Sequence, residues 1–413
     1  MLRLSKGKRA KGKTKSAPED FIVEEITKTG HILEKDRRYL PEELGVDATG
    51  IGKGQRFSVF ILQKRDWNTA SALREVAKKC GRGIKSASFA GSKDRTSIST
   101  QLCSMFGATP ETLMNVHVKD IKINGAWPSE SAVALGDLAG NRFTITITDP
   151  LETEFIPKIE KELGGIFPNY YGLQRFGSRS NNPSIGLSII KGDFESAVRS
   201  FLMDYTGETN EEAVAARMRL SEEQDFSKAQ SYFPRYLKYE RLLLESLAKN
   251  PTDYANAIRR LPRAITLMFV HSVESDIFNN VLEARVRDHR TKPEKGDMVC
   301  ATDGMGFPNL SKTSICDGSS VSGTFALGNL IGYNSKDLSN EEKGILENLG
   351  ITKEDFKVKH MPELNCKGAV RPLFSTYTGF ALSGSTLSFS LPAGSYATVL
   401  LDEFLEHAEI IPE

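Results

Sequence analysis

The sequence predicts an α+β protein with a mainly helical insertion, from three observations of hydrophobic period. Strand-like segments alternate with helical ones over the first ~180 residues. Residues 184 to about 284 repeat their apolar positions at three- and four-residue spacing, as helices do. Strand character then returns in the last ~40 residues. The 413-residue length exceeds what one hydrophobic core usually spans, so two domains or one domain with a large insertion are expected. The division read from pattern is a basic arm at 1–17, an α+β domain at 18–182 and 371–413, and an inserted domain at 183–370.

Arg3, Lys6, Lys8, Arg9, Lys11, Lys13 and Lys15 precede any acidic residue. Such a run reads as a solvated tail or as an arm lying along phosphates. Pro18–Glu25 reads as a turn entering a strand, Gly50–Gly54 as a glycine-rich connection, and Phe57–Leu62 as a strand. Thr69 is the expected N-cap of a helix through Lys79. Ser86–Ala90 is a short strand running into the polar loop Gly91-Ser92-Lys93-Asp94-Arg95. Asn115–Ile123 and Arg142–Thr148 read as strands, the second by clean alternation, and Glu152–Leu163 as a helix. Helical period dominates Ala197–Tyr205, Tyr236–Leu247 and Ile265–Val286. Short strands are expected within Lys295–Gly332 and at Leu387–Leu391, and a closing helix over Tyr396–Leu405.

Hydrophobic residues make up 39% of the chain and charged residues 26%, ordinary values for a soluble protein. No apolar run approaches the ~20 residues of a membrane helix, and the basic N-terminus lacks the apolar stretch of a signal peptide. The five cysteines are scattered and form no CxxC pair, and the six histidines form no HxxxH or HxH pair. Free thiols in a reducing, cytoplasmic setting are therefore expected, with no disulfide framework and no metal. The net charge of +1 neither requires nor excludes a nucleic-acid partner.

Asp94 stands between Lys93 and Arg95 directly after a strand. Flanking cations would favour its charged form, and an ionised, oriented carboxylate can act as a nucleophile. Taken alone, Lys-Asp-Arg is far more often a surface turn. Asn169–Gly177 pairs Tyr170 and Tyr171 with Arg175, which could reach a phosphate. Gly140-Asn141-Arg142-Phe143 opens the alternating strand, and Phe143 is either a core residue or a stacking surface for a base.

Five segments in this order resemble the TruD pseudouridine synthases. They are Pro18-Glu19-Asp20-Phe21 with Glu25, Phe89–Arg95 continuing to Gln101, Gly140–Thr144, Asn169–Gly177, and Leu391–Thr398. Phe278-Asn279 and Lys295-Gly296-Asp297 are similar to the family's inserted domain. The long insert and the basic arm look more like archaeal or eukaryotic members than bacterial ones. The resemblance implies a bent mixed sheet flanked by helices, interrupted by the TruD-specific domain. It implies isomerisation of uridine to pseudouridine in tRNA, typically at position 13, without a cofactor. Asp94 then matches the catalytic aspartate, Asn141 and Phe143 base-pocket residues, Lys93 a cation beside the nucleophile, and Glu25 a family acidic position. With Arg95 and Arg175 these are the expected site residues, and a monomer acting on tRNA is the expected state. Attack on C1′ and proton abstraction to a glycal both stay open. The competing classes are an RNA-binding or chaperone module on this scaffold without turnover, and a glycosidase, which would need a second acid.

Overall fold

The computed structural model describes residues 1–47, 56–148, 153–319 and 322–406. The Gly50–Gly54 connection and Glu152 lie outside them. In chain order the first part comprises β1 (Ala10–Lys11), β2 (Phe21–Ile26), β3 (Phe57–Arg65), α1 (Thr69–Lys79), β4 (Ala87–Phe89), β5 (Ile98–Phe106), α2 (Pro110–Met114), β6 (Ile121–Ser129), β7 (Gly140–Thr146), α3 (Ile156–Leu163) and β8 (Ile166–Pro168). Seven helices follow: α4 (Asn182–Ile190), α5 (Phe194–Met203), α6 (Glu211–Glu223), α7 (Phe226–Tyr232), α8 (Lys238–Leu247), α9 (Tyr254–Arg259) and α10 (Arg263–Arg287). The chain closes with β9 (Met298–Thr302), β10 (Pro308–Ile315), β11 (Thr324–Leu330), α11 (Asn340–Leu349), β12 (Ala369–Pro372), β13 (Phe374–Thr376), β14 (Thr378–Ser383), β15 (Thr386–Pro392), α12 (Ala397–Phe404) and β16 (Leu405–Glu406).

The main sheet runs β14-β15-β7-β2-β5-β3-β6, with β4 added onto β5. Only the β2–β5 pair in it is parallel, so the sheet is mixed as expected. The two ends of the sequence meet inside it, because β15 pairs with β7 in continuous register from Thr386↔Thr146 to Pro392↔Gly140. Gly140 is required at that seam, since a Cβ there would collide with the Leu391 carbonyl. One apolar core lies under β2, β7 and β15 and is closed by α3 and α12. A second packs α1 and α2 against β3, β5 and β6. Residues from Ile185 to Cys366 gather a separate core built mostly from α4–α10. The α10 helix joins two of these: Val270, Val273 and Ile277 enter the helical core, while Phe278, Val281 and Leu282 enter the core beneath the sheet. No helix among the described residues is long and apolar enough to cross a membrane.

Three local readings are corrected. Asn115–Ile123 is not one strand: Pro110–Met114 is helical, and the strand starts at Ile121 and runs to Ser129. The side-chain cap of α1 is Asn68, whose oxygen accepts from Ser71 N at 2.8 Å, because Thr69 is drawn inward to another partner. The basic arm is docked on the protein. Ala10 is fully buried, β1 pairs in parallel with β16, and Lys13 pairs with Thr148. Glu403 accepts from Leu4 N, Ser5 N and the Ser5 hydroxyl at 2.9, 2.9 and 2.7 Å. A run of cations still folds onto the surface when its backbone donors meet fixed carboxylates and a strand edge.

Candidate active site

The loop after β4 is held from behind by side chains of neighbouring elements. Gln101 Nε2 donates to Gly91 O at 2.9 Å, and Thr69 Oγ1 accepts from Lys93 N at 3.0 Å. Thr69 in turn donates to Gln101 Oε1 at 2.9 Å. Lys64 Nζ and Ser97 Oγ donate to the Asp94 carbonyl at 2.6 and 2.8 Å. These bonds leave the Asp94 carboxylate 37% exposed on a backbone that cannot turn freely.

The cation on that carboxylate is neither sequence neighbour. Lys93 Nζ lies 2.7 Å from Glu25 Oε2 in a fully interior pair, with the two side chains 4% and 0% exposed. Glu25 also accepts from Leu102 N at 2.9 Å. Arg95 is 61% exposed and its Nε lies 3.3 Å from Asp66. The Asp94 partner is Lys15, whose Nζ stands 2.9 Å from Oδ2 and 4.3 Å above the Phe21 ring. Lys15 is 8% exposed and has a left-handed backbone at φ 62°, which costs a non-glycine residue about 1–2 kcal/mol. Backbone bonds between Lys13 and Thr148, at 2.7 and 2.9 Å, hold the arm in place just before that turn. The expectation that Lys93 or Arg95 faces Asp94 therefore fails. The chain has left the strand at Phe89, and in the loop each neighbour finds its own acid.

Asn141 sits across from Glu25 in the β2–β7 register, and its buried Oδ1 has no hydrogen-bond partner. Buried acceptors are almost always satisfied, so this one is poised to receive a donor. Phe143, two residues further along the same face, is 7% exposed. It stacks on Phe389 at 5.6 Å and meets Phe21 edge-on at 6.0 Å. It is a core residue with a small exposed remainder, not the open stacking surface considered from sequence.

The other flank is built around Tyr171. Arg371 lies 4.2 Å from its ring and Arg175 5.0 Å. Arg371 is buried and donates to Asn169 Oδ1, the Asn169 carbonyl and the Gly394 carbonyl at 2.7, 3.1 and 2.8 Å. The Nε of Arg175 is buried without a partner. Tyr396 packs edge-on to Tyr171 at 6.2 Å. Burial pushes its phenol up from the ordinary value, Arg175 and Arg371 pull it down, and the charge of Asp94 pushes it up further. The two flanks thus share one electrostatic neighbourhood. Beyond Tyr171 and Arg175 opens a cleft of about 600 Å³ that reaches α10 and residues 365–369.

Sequence reasoning missed Lys15, Lys64 and Arg371. Lys15 was one of seven indistinguishable cations, although it lies just before the Pro18–Phe21 segment. Lys64 and Arg371 sit in strands and act on backbone carbonyls, for which no local motif exists.

A family model described as "tRNA pseudouridine synthase D (TruD)" matches residues 2–404. A "Probable tRNA pseudouridine synthase D" of Methanosarcina acetivorans is 34% identical, over 96% of this chain and 92% of its own. One of Methanopyrus kandleri is 35% identical over 86% of each. The solved structure of a Methanosarcina mazei protein described as tRNA pseudouridine synthase D superposes with a TM-score of 0.75 at 30% identity. That match covers 98% of this chain and 95% of the other.

Proposed function

The chain belongs to the tRNA pseudouridine synthase D family, and we propose that it isomerises one uridine of tRNA, at position 13, with Asp94 as nucleophile and no cofactor. The observation that carries this is the Lys15–Asp94 ion pair, in which a rigid loop aims a partly exposed carboxylate and a buried ammonium fixes its oxygen.

The target uridine first leaves its stack, at a cost of a few kcal/mol that RNA contacts offset. Asp94 then starts the reaction by one of two routes. In the first, an Asp94 oxygen bonds to C1′ as the C1′–N1 bond breaks and uracil departs as an anion. In the second, Asp94 removes the C2′ proton and a glycal forms as uracil departs. In both, the base turns and C5 bonds to C1′; on the first route the Asp94–C1′ bond breaks as it does so and the carboxylate is released, and on the second C2′ takes back the proton held by Asp94. The C5 proton is then lost and N1 gains one, so the product is an isomer. Lys15 is well placed to orient Asp94 and to offset charge that develops beside it.

The unpaired Asn141 Oδ1 suits a donor such as the uracil N3–H, and the small exposed remainder of Phe143 lies along the same strand face. On the other flank, Arg175 and the Tyr171–Tyr396 pair suit a phosphate and a flipped nucleotide. Lys93 and Glu25 act from beneath, as the buried pair that supports the loop. The helical residues 183–370, taken as a separate domain, would grip the RNA body. The working state is taken as a monomer.

The test is purified Asp94→Asn with unmodified tRNA. Loss of pseudouridine with tRNA binding kept within a few-fold supports the reading. Unchanged product formation sinks it, and an inactive wild-type protein that still binds tRNA would favour a binding module. A 2′-deuterium isotope effect on turnover separates the two routes.

A further inference from the structure

The cleft beside Tyr171 and Arg175 carries a cluster that the isomerisation does not use. His271 and Glu274 lie three residues apart on one face of α10, and Cys366 reaches them from a segment 95 residues beyond His271. His271 Nδ1 is 2.6 Å from Glu274 Oε2 and 3.8 Å from Cys366 Sγ, and the ligand atoms all lie within 4.8 Å of one another. We propose that His271, Glu274 and Cys366 form a three-ligand site for a zinc-class divalent cation, with its fourth position open to the cleft.

The geometry needs little adjustment. Tetrahedral zinc places a thiolate sulfur and an imidazole nitrogen about 3.6 Å apart, and nitrogen and carboxylate oxygen about 3.3 Å apart. The sulfur is already near its distance, and Glu274 has only to give up its hydrogen bond to the ring. The donors are presented on fixed backbone. Glu274 and Cys366 are buried, and Cys366 is tied at both ends, its N to Phe356 O at 3.1 Å and its O to Tyr333 N at 3.0 Å. His271 is 41% exposed and supplies the way in.

The cation has to displace the Cys366 proton to bind. Burial pushes the Cys366 thiol up to about 12, and the Glu274 charge adds to that. A cation reverses both effects, because it coordinates the thiolate while the thiol proton leaves to solvent. Arg175, Arg263 and Lys367 line the same cleft. Loading takes the cluster from one negative charge to none as the thiol proton leaves, so these cations weaken binding and the metal–ligand bonds must outweigh them. The donor set of sulfur, nitrogen and one oxygen selects zinc, cobalt or a similar ion over magnesium or calcium. Such an ion would staple α10 to the segment that leads into β12 and back to the main sheet. The expectation of no metal came from spacing within the sequence, which cannot reveal ligands this far apart.

The test uses the full chain, stripped with a chelator and titrated with Co²⁺ alone. One equivalent should bind with a thiolate-to-cobalt charge-transfer band and release one proton. Cys366→Ser should lose the band, and His271→Ala should weaken binding by at least roughly tenfold. His271→Ala also strands the buried Glu274 carboxylate, so His271→Gln, which can still donate to Glu274, is the control: it should melt close to the metal-free wild type and still bind Co²⁺ weakly, which separates lost ligation from lost folding. Zn²⁺ should raise the melting temperature of wild type but not of Cys366→Ser. A band that survives in Cys366→Ser, unchanged affinity in His271→Ala, or no saturable binding overturns the proposal. None of these readouts depends on pseudouridine formation.

Discussion

Lys15 Nζ lies 2.9 Å from Asp94 Oδ2, although 79 positions separate the two residues. The pair exists because the docked arm turns left-handed at Lys15 and because the loop backbone is fixed behind Asp94. Lys15→Met should lower turnover on tRNA by roughly 10²–10³-fold, the usual cost of removing one charge-stabilising donor. The tRNA affinity should change only a few-fold, and Lys15→Arg should restore part of the rate. Arg95→Ala, which removes an exposed partner of Asp66, should leave kcat within about threefold. Single-turnover kinetics of the three variants check this, and equal losses in Lys15→Met and Arg95→Ala would count against it.

The arm's cations are expected to matter less than its docking. Glu403→Ala removes the acceptor of Leu4 N, Ser5 N and the Ser5 hydroxyl. It should expose residues 1–16 to protease and lower kcat by withdrawing Lys15. An arm that served chiefly to hold phosphates would instead lose affinity, with a shallower salt dependence of tRNA binding.

Lys93 and Glu25 form an interior pair that supports the loop from beneath. Lys93→Met strands a buried carboxylate and should cost about 3–5 kcal/mol by denaturant unfolding. The double variant Lys93→Met with Glu25→Leu should regain most of that stability. A double-mutant cycle with no coupling between the positions would refute the assignment.

Arg371 is buried against carbonyl oxygens of Asn169 and Gly394 and beside the rings of Tyr171 and Tyr396. Arg371→Lys should destabilise nearly as much as Arg371→Met, because an ammonium cannot serve several acceptors in the plane of a guanidinium fork. Thermal melts of both variants give the comparison.

The α+β architecture was legible because period survives in single elements. The alternation in β7 and the helical spacing along α10 needed no knowledge of their neighbours. Asp94 was legible through its segment, since Gly91, Lys93, Ser97 and Gln101 lie within a few positions of it, whereas Thr69 and Lys64, which also hold the loop, come from other elements. Its cation was not, because Lys15 comes from a run in which every residue carries the same charge. Only the Lys13–Thr148 pairing selects one of them. Phe143 was ambiguous for a related reason. A phenylalanine on an alternating strand is read as core or as a stacking surface according to what covers it, and the cover here is Phe389 from the far end of the chain. The 115–120 segment misled because its β-branched and apolar residues lie in a turn after α2, where the chain runs towards β6.

The most direct measurement is pseudouridine mapped at single-nucleotide resolution on unmodified tRNA, after incubation with wild type and with Asp94→Asn. The wild type should convert one uridine, at position 13. The variant should convert none while melting at the same temperature and retaining the tRNA in a binding assay. Conversion by Asp94→Asn at a rate near that of the wild type would contradict the assignment of Asp94 as nucleophile.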